Sequence, residues 1–253
     1  MCGKCHTPKQ CVVKFFGEIR KPHCLCKCGK QKELEYEAEF EMREINRKVE
    51  LLRKKCFRNK VPMSWTFEND DKANPKITEI AKRYAENFQM VLRNSVSLMF
   101  YGEPGSGKSY MAACIANALL AKAYSCLFTS FSRIVNSTGR SISDKQEYLD
   151  SLDNFNLLVI DNFEIEESTS YALDAALSVL ESRCEAKRPF IVITYNLPPK
   201  SLQKDGDKNF NRKYKIYSLL TQKCIKVKFK PRDNKKEQAV MNEFRKFLGV
   251  DDL

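Results

Sequence analysis

Between residues 77 and 230, short apolar runs alternate with longer stretches of helical composition. Val96-Ser-Leu-Met-Phe-Tyr101 is short, apolar and flanked by polar residues, which predicts a buried strand. Residues 109–122 follow without a breaker and predict a helix. The same reading gives strands at 125–131, 156–161, 189–196 and 224–230, and helices at 77–92 and 170–187, with 134–140 leading into a polar loop. Strands that alternate with helices in this way predict an α/β fold with a parallel sheet between helices. Upstream, residues 31–55 contain many charged side chains and no Gly after position 29 and no Pro. Leu34, Ala38, Met42, Ile45, Val49 and Leu52 recur there at three- and four-residue spacing, as one narrow apolar stripe of a helix. That stripe either packs on another surface or belongs to a solvated connecting helix. Pro62 and the turn residues of 59–70 mark a linker.

The predicted strand at 96–101 and helix at 109–122 are joined by Gly102-Glu103-Pro104-Gly105-Ser106-Gly107-Lys108-Ser109, followed by Tyr110. Strand, glycine-rich loop and helix together form the context of a phosphate-binding loop. The glycines let backbone N–H groups turn inward around phosphate oxygens, and the helix N-terminus adds its positive end. Lys108 is expected to reach the β- and γ-phosphates of ATP, and the Ser109 hydroxyl to ligate Mg²⁺. Leu157-Leu-Val-Ile-Asp161 fits the second nucleotide motif, in which a buried strand delivers an acid to the Mg²⁺ site. The next residue is Asn162, which can position a water molecule but cannot take its proton; Glu164, Glu166 and Glu167 follow closely. Asn196, at the end of the next strand, either senses the γ-phosphate or caps the strand.

Composition adds a second chemistry. Six of the 11 cysteines lie in the first 28 residues. Cys2-x-x-Cys5 is a half-site for Zn²⁺, and Cys24, Cys26 and Cys28 offer the other half; five thiols compete for four places, with Cys11, His6 and His23 in reserve. About thirty residues with so little apolar content are expected to fold on a metal rather than on core burial. The formal net charge is +12, distributed as +8 over residues 1–60, −4 over 61–199 and +8 over 200–253. Two basic ends predict a polyanionic partner such as nucleic acid, solubility being the plainer explanation. Phe128, Phe131, Tyr195, Phe210, Tyr214, Tyr217 and Phe229 are candidate stacking platforms for single-stranded DNA, and Lys226, Lys228 and Lys230 share one face of the last predicted strand. There is no membrane-length apolar run and no signal peptide, so a soluble cytoplasmic protein without a membrane partner is expected. The segments read as a zinc-binding region (1–30), a charged helix with linker (31–60) and a nucleotide-binding domain (61–253).

Together, "TFEND", "NPKITEIAKRYAENF", "FYGEPGSGKSYMAACIANAL", "LFTSFSRIVN" and "LLVIDNF…SYALDAALSVLESRCEAKRPFIVITYNL" resemble the DnaC/DnaI replicative-helicase loaders and their IstB-like relatives. The resemblance implies an AAA+ P-loop ATPase that self-associates through its ATPase domain. It also implies binding of a hexameric replicative DNA helicase through the amino-terminal region, and of single-stranded DNA during loading. Two positions depart from the family pattern: Asn162 replaces a second acid, and Leu219 stands where an arginine commonly reaches a neighbouring subunit's ATP, with Arg212 and Arg232 as possible replacements. Both departures predict slow hydrolysis. An IstB-like transposition helper and a nucleotide-gated adaptor with negligible turnover remain alternative readings.

Overall fold

The computed structural model describes residues 1–57, 61–138, 142–195 and 209–231, together with Arg245 and Phe247. The chain divides into two compact units, residues 1–51 and 52–253.

The first unit opens with a cysteine-containing turn. A small antiparallel hairpin follows, β1 (Val13–Phe15) and β2 (Glu18–Arg20), and then helix α1 (Lys27–Cys56). All six hairpin strand residues are exposed, and in residues 1–30 only Cys2 and Cys26 are buried. Hydrophobic burial therefore contributes little here. The stripe predicted along α1 is exposed at Leu34, Met42 and Ile45, whereas Cys56 and the following Phe57 are buried in the core of the second unit.

The second unit is a parallel sheet flanked by helices. A short 3₁₀ turn (Val61–Ser64) precedes α2 (Pro75–Glu86), α3 (Phe88–Asn94), β3 (Ser97–Tyr101), α4 (Lys108–Ala121), β4 (Cys126–Ser130), α5 (Phe131–Ser137) and α6 (Ile142–Asp153). Then come β5 (Leu157–Asp161), α7 (Ser170–Glu185), β6 (Phe190–Thr194), α8 (Phe210–Lys223) and β7 (Cys224–Lys228). The strand order is β4-β5-β6-β3-β7, every pair parallel. Successive strand residues alternate between two cores, as the pleat requires. Leu98, Phe100, Val159, Ile191 and Ile193 join α2 and α4 on one face; Met99, Leu158, Ile160 and Val192 join α5, α6, α7 and α8 on the other. Ligands in such sheets collect beyond the carboxyl ends of the strands. That edge carries both Asp161 and the loop after β3.

The single helix expected over 77–92 is two. Asn87 ends α2 and starts α3, its side-chain amide donating to the Arg83 carbonyl at 2.9 Å and competing with the helical ladder. Where a polar loop was expected, α5 forms over 131–137, capped by Ser130 Oγ, which accepts from the Arg133 N–H. One side chain without a warning in the sequence is Arg183, which is fully buried. Its guanidinium donates to the carbonyls of Leu152 (3.0 Å), Phe155 (2.8 Å) and Pro189 (2.6 Å), so it ties α6 to the start of β6. Burial lowers its pKa to about 10, against the opposing pull of Asp153.

Candidate nucleotide site and metal centre

The loop between β3 and α4 begins where glycine is required. Gly102 has φ +139°, and a Cβ placed there would meet the Phe229 carbonyl oxygen at 2.4 Å. Its N–H donates to the Tyr195 carbonyl (3.0 Å), so the loop is anchored to both strands that flank β3. Gly105 and Gly107 also take positive φ, and Gly107 is the residue before α4. Pro104, Gly105, Ser106, Gly107, Lys108, Ser109 and Tyr110 line a cavity of about 280 Å³ with Trp65, Asp161, Asn162, Glu164 and Tyr195. Gly102 and Glu103 act differently from the other loop residues: their carbonyls hold the Lys108 ammonium, each at 2.7 Å. Lys108 is buried and sits 5.4 Å from the centre of the Tyr195 ring. Burial pushes its pKa down, while Asp161 and Glu164 pull it back up.

Ser109 Oγ donates to Asp161 Oδ1 at 3.1 Å, which joins the two motifs read from the sequence. A hydroxyl and a carboxylate at the end of a parallel sheet, beside an oriented lysine, suit a hard cation with phosphate ligands. Ser109 and Asp161 are the residues that would hold Mg²⁺. Asn162 follows in the left-handed region (φ +51°), exposed, its N–H donating back to Asp161 Oδ1 at 2.9 Å. Asn196 and Arg232 lie outside the described residues. Leu219 packs against the core of its face, and Arg212 is engaged by Asp174 at 2.6 Å. On the other side of the nucleotide cavity, Asn117 Nδ2 donates to the carbonyls of Pro62 (2.8 Å) and Trp65 (2.9 Å), and Tyr110 Oη to that of Thr66 (3.0 Å). The described part of the linker read at 59–70, residues 61–70, is thus fastened to α4 and supplies the cavity's Trp65 wall. Neither Asn117 nor Trp65 was singled out by sequence; the apolar setting of Asn117 within α4 was the available signal.

Of the aromatic residues proposed as stacking platforms, Phe131 and Phe229 are buried, and Phe128 packs against the core. Tyr217 is tied by its hydroxyl to Glu166. Tyr195 and Tyr214 are exposed, with Phe210 stacked on Tyr214. Lys226, Lys228 and Lys230 are exposed along and just beyond β7, an edge strand.

In the first unit, the sulfur atoms of Cys2, Cys5, Cys26 and Cys28 all lie within 4.8 Å of one another. Cys2 to Cys28 is 3.6 Å and Cys26 to Cys28 is 3.3 Å, close to the ~3.8 Å spacing of sulfurs around a tetrahedral ion with ~2.3 Å bonds. The cluster is able to bind a metal, and an all-thiolate set fits a soft or borderline ion. Cys26 and Cys28 flank the N-terminus of α1. Cys24, a fifth candidate, is not in this group. Its N–H is bound to the Lys9 carbonyl (2.8 Å) in an extended pairing that sets it near Cys11. The residue missed by sequence is Thr7. Its hydroxyl oxygen accepts from the Lys27 N–H at 3.0 Å and lies 3.0 Å from Cys5 Sγ, so it links the two halves of the cluster. That hydroxyl, with nearby amides, brings the Cys5 pKa down to about 5, while the neighbouring Cys26 thiol leads those pushing Cys28 up to about 12.

Fold and loop together are those of a P-loop protein, preceded by a cysteine cluster able to bind a metal. A model of the family described as IstB-like ATP binding protein matches residues 31–231. The chain belongs to this family of AAA+ proteins, within which it is of the DnaC/DnaI type. It is 25% identical over 193 residues to the replicative helicase loader DnaC of Buchnera aphidicola subsp. Baizongia pistaciae, covering 73% of this chain and 76% of that one. It is 30% identical over 118 residues to DnaC of Escherichia coli K12 (45% and 47% covered), so it spans about half the length of that relative. With the replicative helicase loader DnaI of Bacillus subtilis the identity is 26% over 200 residues (74% and 62%). Among solved structures, the crystal structure of DnaI superposes with a TM-score of 0.57 at 18% identity, covering 69% of this chain and 96% of that one. For the DnaC helicase loader the TM-score is 0.51 at 15% identity, with 68% and 100% covered. These superpositions establish the shared fold. Among the described residues, no helix is long and apolar enough to cross a membrane.

Proposed function

We propose that this protein binds ATP with Mg²⁺ and loads a hexameric replicative helicase onto single-stranded DNA, hydrolysing ATP slowly. The observation that carries the reading is the pairing of Ser109 with Asp161 beside a buried, carbonyl-held Lys108, in a chain similar to DnaC and DnaI over most of its length. Backbone amides of the loop and Lys108 would hold the phosphates, and Ser109 and Asp161 the Mg²⁺. Mg²⁺, when bound, supplies neutralisation of the charge that develops on the phosphates. The cysteine module would hold Zn²⁺ through Cys2, Cys5, Cys26 and Cys28 and, with α1, present the helicase-binding surface. Self-association through the AAA+ domain and the exposed Lys226 and Lys228 would then follow the DNA strand. Leu219 and the Arg212–Asp174 pair favour one second reading, an adaptor that uses ATP binding without rapid turnover.

The deciding experiment is pull-down of a purified hexameric helicase with the full chain, with and without ATP, followed by helicase loading on single-stranded DNA circles. ATP-dependent capture and loading are expected. Capture of a transposase on duplex DNA in place of helicase would replace this reading with the transposition helper.

A further inference from the structure

Among the described residues, the phosphate cavity has one acidic side chain besides Asp161, and it is not adjacent to Asp161. After β5 the chain runs Asp161, Asn162, Phe163, Glu164, Ile165, and burial alternates: Phe163 and Ile165 are buried, while Asn162 and Glu164 are exposed. The left-handed turn at Asn162 starts this alternation. The Phe163 N–H then donates to the Ile193 carbonyl at 2.8 Å, and its ring packs 4.9 Å from that of Phe131. Glu164 is itself fixed at both backbone groups. Its N–H donates to the Asn162 carbonyl (3.1 Å), and its carbonyl accepts from Ser168 Oγ (2.7 Å). Two buried anchors and two hydrogen bonds hold the side chain on the cavity wall with Lys108, Ser109 and Asp161.

The neighbouring acids are placed differently. Glu166 accepts from the Tyr217 hydroxyl, and Glu166 and Glu167 line a second cavity of about 560 Å³ rather than the phosphate cavity. Glu164 lines both, and among the described residues no hydrogen bond or ion pair engages its carboxylate. We propose that Glu164 is the catalytic base of this site, supplying from three residues beyond Asp161 the carboxylate that Asn162 cannot provide. This rests on the reading of the cavity as an ATP site. In the step assigned to it, a water oxygen attacks the γ-phosphorus and the bond from that phosphorus to the bridging oxygen breaks. The electron pair stays with ADP, and the water proton passes to Glu164 and then to solvent. Asn162, with its amide, orients the same water. Partial desolvation on the cavity wall also raises the Glu164 pKa, Lys108 opposing, which is the direction a base working near neutrality requires.

The test compares full-length wild type with Glu164→Gln and Glu166→Gln, in the presence of single-stranded DNA and helicase. Phosphate release gives kcat, and calorimetry with the non-hydrolysable analogue AMPPCP gives affinity. Glu164→Gln is expected to lower kcat by about 10²-fold or more while the AMPPCP Kd stays within about threefold, and Glu166→Gln to keep the wild-type rate. If Glu164→Gln does not fold, Glu164→Asp carries the comparison, with a reduced kcat at unchanged affinity expected. Wild-type turnover in either Glu164 variant overturns the assignment, as does a wild type that binds AMPPCP and hydrolyses nothing. A wild type that fails to bind AMPPCP overturns instead the function proposed above.

Discussion

The protein has two candidate ligand sites, and they are constructed on opposite terms. The phosphate loop is held by the fold: Gly102 is fixed between Tyr195 and Phe229, Lys108 by two loop carbonyls, and the loop rests on strands buried on both faces. The cysteine cluster has almost nothing beneath it. Its hairpin is wholly exposed, and the buried residues around it are two of the candidate ligands themselves. A nucleotide would add to a structure that already has a core; a metal at the thiols would supply much of the structure of its module. Loss of ligand therefore means different things at the two ends of the chain.

The largest effect that would break this contrast is metal removal. Structural zinc binding contributes on the order of 10–16 kcal/mol in small modules, so chelation or Cys5→Ser is expected to release about one Zn²⁺ per chain and to unfold the first unit. Hydrogen exchange read by peptide should then lose protection in residues 1–51 and keep it in the sheet. Equal protection before and after chelation would show that the module has another source of stability. Next in size is Lys108→Ala. A charge-assisted contact contributes about 1.5–3 kcal/mol, so ATP affinity should fall roughly 10- to 100-fold with the thermal transition of the second unit little changed. A variant that binds ATP as wild type does would mean that the loop has been misread. Smallest is Gly102→Ala. The added methyl would press on the Phe229 carbonyl in a backbone conformation that alanine rarely adopts, at a cost of about 1–3 kcal/mol. Thermal denaturation should show a lowered transition in the second unit, with metal content unaffected. Loss of zinc in this variant would show that the two sites are not independent.

How far these sites were readable follows from how each is encoded. The phosphate loop is a contiguous string whose spacing has a physical reason at nearly every position, so Gly102 to Ser109 and the strand–loop–helix context were legible. Asp161 was legible because a buried parallel strand reads as a run of apolar residues with one acid at its end. The two halves of the cysteine cluster were legible as spacing, but choosing four thiols among five was not. That choice depends on the Lys9–Cys24 pairing and on Thr7, twenty residues from the amide it caps. Arg183 was invisible for a related reason: a lone arginine in a helix reads as surface, and only the three carbonyls that converge on it explain its burial. The break at Asn87 is a local competition of hydrogen bonds within a pattern whose periodicity hardly changes. Among its described side chains, helix α6 has Leu149 and Leu152 as buried anchors in its apolar pattern, too few to announce a helix.

The contact between Gly102 and Phe229 has a mechanical side. Phe229 is latched to the last residue of β3 by its N–H, which donates to the Tyr101 carbonyl at 2.8 Å, and its ring lies 5.0 Å from that of Phe100. Its own carbonyl occupies the space in which any side chain at position 102 would lie. The chain continues from there through Lys230 and Pro231. A load applied beyond Phe229 is therefore delivered to the first turn of the phosphate loop, without passing through the helices. Conversely, a shift in that turn would press on the segment that follows β7. The glycine at position 102 makes this short lever possible by leaving no side chain in its path.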